Sequence, residues 1–155
     1  MSFKSLEEIL EFAIEKEKEA ARLYDEASAM EESAGARKTF QELAVEERKH
    51  RELLENMEKE GLEKSLSSYT IKWINNMRRS DYLVDIKYEK GMSYRDILIL
   101  AMKREEKSFK LYNDLLMQSA VESHKKLFSI LSQEEAKHKL KLETIYDDYM
   151  AKMGD

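Results

Sequence analysis

Six side chains able to bind metal ions form one pattern written twice. The first copy is Glu17, Glu47 and His50; the second is Glu105, Glu135 and His138. Each copy is a lone Glu followed, 30 residues on, by a Glu-x-x-His, and the copies lie 88 residues apart. Tyr24 and Tyr112 obey the same offset, each seven residues after its lone Glu. Carboxylate and imidazole ligands together suit iron or manganese, and also zinc. The chain has no Cys, so thiolate zinc sites and iron–sulfur clusters are excluded. In a helical Glu-x-x-His, residues i and i+3 are neighbours on one face and can reach one metal centre together.

Helical periodicity tells where these residues point. One stripe runs through Leu6, Leu10, Ala13, Glu17, Ala20, Tyr24 and Ala27, and a second through Phe40, Leu43, Glu47, His50, Leu54 and Met57. A third is Tyr94, Leu98, Ala101, Glu105, Ser108, Tyr112 and Leu115; a fourth is Phe128, Leu131, Glu135, His138, Leu142 and Ile145. Steps of three and four make each stripe a single face of a helix, and the apolar company makes it the face to be buried. Four carboxylates buried without partners would carry a large desolvation cost or stay protonated. No Lys or Arg sits on the stripes near them. Two divalent cations would balance four carboxylates, with both His neutral.

The repeat reaches past the ligands. Residues 5–58 set against 93–146 without a gap give 16 identities in 54 positions, among them Ile9/Ile97, Leu23/Leu111, Phe40/Phe128 and Leu54/Leu142. A duplicated helix–turn–helix unit with a constant turn length follows. The expected first helix is capped by Ser5-x-x-Glu8 and runs to about Met30. A turn over Glu31 to Gly35 leads to a second helix from about Arg37 to Glu60, stopped by Gly61. Ser93-x-x-Asp96 opens a third helix ending near Ser119, and the fourth runs from about Ser123 to Lys152. Residues 61–92 are too long for a simple turn. Within them Ile71, Ile74 and Met77 suggest a short amphipathic helix, and the alternation of Val84, Ile86 and Tyr88 with charged residues an extended piece. The expected fold is all-α: a single ferritin-like domain over 1–155, a four-helix bundle of two duplicated hairpins (5–60 and 93–152) with one long crossover (61–92).

Composition narrows the function classes. A chain of 155 residues supports one real core. There is no Pro and there are only four Gly, so little interrupts helices. Charged residues of both signs make up 38% of the chain and the net charge is −5, which leaves no basic field for nucleic acid. No apolar run approaches a membrane span or a signal-peptide core, so a cytoplasmic protein with no membrane partner is expected.

Several features have plainer readings. A single Glu-x-x-His carries little weight in so Glu-rich a chain; the doubling carries the argument. Glu15 and Glu19 belong to a solvated charged face. Glu46 and Glu134 also precede the two His and compete as ligands, but they fall beside the stripe, which favours Glu47 and Glu135. His124 has no repeat mate and reads as a surface residue. Tyr24 and Tyr112 also fit as core aromatics, and the Met residues and Trp73 as packing.

The lone Glu, the Tyr seven residues on and the Glu-x-x-His, all twice, resemble the rubrerythrin branch of the ferritin-like di-iron carboxylate superfamily. The resemblance covers the four helices. It implies two metal ions per chain, iron foremost with manganese or zinc as alternatives. It further implies that Glu47 and Glu135 bridge the ions, with Glu17, His50, Glu105 and His138 as terminal ligands. Tyr24 and Tyr112 would then hydrogen-bond ligand carboxylates. Two features depart from that pattern. Full-length rubrerythrins add a Cys-bound iron domain that delivers electrons; with no Cys here, a separate electron donor is implied. The family also often has a further Glu three residues after the first ligand of the third helix, and here that residue is Ser108.

Three functions remain open at this level. The first is an oxidoreductase acting on Fe(II), dioxygen or peroxide; the second is a non-catalytic iron or metal carrier; the third is a bundle with a structural metal pair. A homodimer is compatible with each.

Overall fold

The computed structural model describes residues 2–60 and 73–154. Four long helices form the bundle: α1 (Leu6–Met30), α2 (Ala34–Lys59), α3 (Tyr94–Gln118) and α4 (Glu122–Gly154). At about 1.5 Å per residue, a helix of 25 residues such as α1 or α3 spans about 37 Å. α1 packs along α2 and α3 along α4, and the two hairpins meet chiefly through α1 and α3. Among the described residues there is no helix long and apolar enough to cross a membrane.

The caps are local chemistry. Ser5 accepts from the Glu8 backbone N–H at 3.0 Å, and Ser93 accepts from that of Asp96 at 3.2 Å. Each satisfies a donor the helix start leaves free. The Glu8 carboxylate reaches back to the Lys4 N–H, one residue before the cap. α2 begins at Ala34, three residues earlier than the sequence suggests, so Gly35 lies inside the helix. Arg37 folds back and donates to the Glu31 carbonyl oxygen at 3.0 and 3.1 Å, which holds the tight α1–α2 turn. Gly91, at φ 91°, makes the left-handed turn just before the Ser93 cap. Gly61 and Ile71, read as a helix stop and part of a short helix, lie outside the described residues.

Two apolar plugs fill the bundle. One gathers Phe3, Ile9, Leu10 and Ile14 with Leu54, Leu111, Leu115, Phe128 and Leu131. The other gathers Leu23, Tyr24 and Ala27 with Phe40, Leu43, Leu98, Ala101 and Leu142. α1 and α4 run from the first plug to the second; α2 and α3 run the opposite way. α2 therefore ends beside the first plug while α3 begins beside the second, and the segment between them must travel the length of the bundle. Its residues record that path. Trp73, Ile74, Met77 and Tyr82 are buried in the first plug, and Val84, Ile86, Tyr88 and Met92 pack on the second. Among the described residues, a helical stretch at 73–76 and a 3-10 helix at Arg79–Tyr82 are its regular pieces. The alternation over 83–88 is real in burial, yet no strand forms among the described residues, because no neighbouring strand is there to pair with it.

Candidate metal centre

Between the two plugs lies a layer of ionisable residues. Glu17 comes from α1, Glu47 and His50 from α2, Glu105 from α3, and Glu135 and His138 from α4. All six are at most 2% exposed. Their positions follow from the stripes: each lies on the inward face of its helix, between residues of the first plug and residues of the second.

The layer contains two overlapping donor groups. One is Glu17, Glu47, His50 and Glu135; the other is Glu47, Glu105, Glu135 and His138. In each, one ligand atom per residue lies within 4.8 Å of all the others. Glu47 and Glu135 belong to both. The two imidazoles stack with ring centres 5.6 Å apart.

The outward atoms of these residues are engaged and the inward ones are not. Tyr112 donates its hydroxyl to Glu17 Oε1 at 2.5 Å, and Tyr24 donates to Glu105 Oε1. His50 Nε2 pairs with Glu134, and His138 Nε2 with Glu46. What remains buried without a hydrogen bond is Glu17 Oε2, Glu105 Oε2, both oxygens of Glu47, Glu135 Oε1 and Nδ1 of each His. His50 Nδ1 stands 2.8 Å from Glu135 Oε1 and His138 Nδ1 2.5 Å from Glu47 Oε1, close but without hydrogen-bond alignment. Orphaned buried donors and acceptors on this scale are costly, and such groups call for an ion. Seven inward atoms left free by their own outer partners fit a pair of cations.

The electrostatics point the same way. Burial pushes the carboxyls of Glu47 and Glu135 well above the ordinary range, and the neighbouring carboxylates push them further. Burial acts likewise on Glu17, but the adjacent Glu47 carboxyl, the His50 ring and the Tyr112 hydroxyl outweigh it and hold that carboxyl low. Burial opposes charge on His50, yet Glu135 and Glu17 raise it to about 11. His138 is raised against burial by Glu105 and Glu46. The tyrosines, buried against carboxylates, are held well above 10 and stay protonated donors. Without metal, protons must supply the positive charge that the layer needs.

Glu46 and Glu134, which sequence reasoning sets aside as competing ligands, have another place. Their side chains are 39% and 42% exposed and each reaches across to the His of the other hairpin. Such a carboxylate fixes which imidazole nitrogen is free to bind. The usable signal is that they too are 88 residues apart. His124 is half-buried near the start of α4, outside both donor groups. Each contact has its repeat mate: Tyr24–Glu105 with Tyr112–Glu17, His50–Glu134 with His138–Glu46. The hairpins interlock, so neither half of the layer is complete alone.

Residues 8–146 match the rubrerythrin family model. Among curated proteins there is no significant match. A hypothetical protein from Pyrococcus furiosus is 26% identical, with 92% of this chain and 89% of that one covered and a TM-score of 0.69. A Thermotoga maritima protein, described provisionally as ferritin-like diiron-carboxylate, is 24% identical over 96% and 99% of the two chains, with a TM-score of 0.73. An uncharacterized conserved protein from Magnetospirillum magnetotacticum is 23% identical over 93% and 95%, with a TM-score of 0.62. The last two establish the shared fold.

Proposed function

The chain belongs to the rubrerythrin family, and on that premise we propose that it is a di-iron oxidoreductase acting on dioxygen or peroxide, or on Fe(II) as a ferroxidase. The observation that carries the reading is the sharing of Glu47 and Glu135 by two four-residue donor groups. In this reading Glu17 and His50 hold one ion, Glu105 and His138 hold the other, and Glu47 and Glu135 serve both. When bound, the metal pair supplies Lewis acidity and the electrons that reduce the oxidant.

The chain's own residues do the rest. Tyr112 and Tyr24 keep Oε1 of Glu17 and Glu105 engaged, so that Oε2 of each faces inward. Glu134 and Glu46 hold the outer imidazole nitrogens and leave Nδ1 as the ligand atom. The plugs above and below keep bulk water from the layer, which strengthens every charge interaction in it. In this reading reducing equivalents come from a separate donor.

Anaerobic loading with Fe(II), followed by stopped-flow mixing with dioxygen or peroxide, tests the proposal. The expected result is oxidation of both irons far faster than free Fe(II) under the same conditions, and repeated turnover with an added reductant. Bound iron that stays ferrous would make the chain a metal carrier or a bundle with a structural pair.

A further inference from the structure

A second site lies against the metal layer, on the flank where α1 and α3 meet. The crossover roofs a cavity of about 420 Å³ there, within the size range of small-molecule sites. Phe12 and Leu23 of α1, Leu111 of α3, and Tyr82, Val84 and Ile86 of the crossover form apolar walls. Ser108, one turn beyond Glu105 on α3, is also in the wall, so the cavity abuts the carboxylate layer.

Its charge is one-sided. Five Lys or Arg side chains line it against two carboxylates, Glu19 and Glu26. Glu19 is already held by Lys16 at 3.3 Å and by Arg104 at 2.6 Å. Arg22 and Lys87 stand exposed at the rim, with no ion pair among the described residues. Arg104 is the informative one. Its side chain is 17% exposed, and one guanidinium nitrogen, Nη1, is engaged with Glu19. A partly exposed guanidinium beside apolar walls and surplus positive charge matches a planar anion on an apolar body.

We propose that this cavity binds an apolar molecule carrying one carboxylate, with Arg104 as its anchor. The alkyl or aryl part lies between the crossover and the α1–α3 seam, and the carboxylate meets the Arg104 side of the wall. The site depends on the crossover and not on the metals, so it stands or falls apart from the redox reading.

Calorimetric titration of the whole chain tests this with three probes of equal length: decanoate, decanol and decyltrimethylammonium. Decanoate should bind saturably, one per chain, at least about tenfold more tightly than decanol, as loss of a charge-assisted hydrogen bond implies. The ammonium should bind most weakly. Arg104→Gln should remove the preference for the acid over the alcohol, and Val84→Trp, which fills the cavity from its roof, should remove binding of all three. Circular dichroism melting establishes that each variant is folded; if Arg104→Gln is not, Val84→Trp and the probe ranking decide. Absence of saturable decanoate binding, equal affinity for acid and ammonium, or indifference to Val84→Trp overturns the proposal.

Discussion

Removing the metals should reverse the way stability depends on pH. In the metal-free protein Glu47 and Glu135 are raised above their ordinary 4.5, and His50 is raised from 6.5 to about 11. Over the window between those unfolded and folded values the native state binds more protons than the unfolded chain. Stability is therefore full on the acid side and falls as pH rises. Glu17 acts in the opposite sense, but only below its ordinary 4.5, outside the window. The groups titrate together, so the excess belongs to the cluster and not to one residue. One excess proton gives a slope of about 1.4 kcal/mol per pH unit, or roughly 3–6 °C of Tm per unit in a chain of this size. The loaded protein should run the other way, because protons compete with metal for the same atoms. Each ion held at about a hundredfold excess over its dissociation constant adds about 2.7 kcal/mol. Thermal melts of chelated and iron-loaded protein between roughly pH 6 and pH 9 should thus diverge with rising pH. Parallel curves, or a chelated protein that gains stability toward alkaline pH, would refute the reasoning.

Three further outcomes follow from the site. Glu47→Ala or Glu135→Ala should abolish dinuclear loading, whereas Glu46→Ala or Glu134→Ala should keep two ions at an affinity about 10–100-fold weaker, both read by metal titration. Tyr112→Phe leaves Glu17 Oε1 buried without its donor and should cost the metal-free protein about 1–3 kcal/mol in denaturant unfolding, without removing the capacity for two ions. Ser108→Glu adds a carboxylate one turn beyond Glu105; it should raise peroxide turnover in stopped-flow assays while two metals stay bound, and no gain would leave Ser108 without the role its position suggests.

The faces of the helices are legible in the chain because burial has a period: three- and four-residue steps put Leu10, Ala13, Glu17 and Tyr24 on one line, and the repeat does the same for α3. Local caps at Ser5 and Ser93 are legible for the same reason, since their partners lie three residues away. The start of α2 is not, because Gly35 looks like a turn while the Arg37 clasp on the Glu31 carbonyl lets the helix begin earlier. The roles of Glu46 and Glu134 are hidden for a different reason. They sit half-exposed beside the stripe, and their partners are 92 and 84 residues away in the other hairpin, a relation that no helical period encodes. The crossover is opaque because its course is fixed by where α2 ends and α3 begins, and its apolar residues are sorted between two plugs at opposite ends of the layer.

One chain should hold two ions through a shared pair of carboxylates, Glu47 and Glu135. Elemental analysis of protein loaded anaerobically with Fe(II) and freed of excess metal measures this directly. About two irons per folded chain are expected, as two donor groups sharing Glu47 and Glu135 imply. One iron or none, in protein whose helical spectrum is intact, would contradict it.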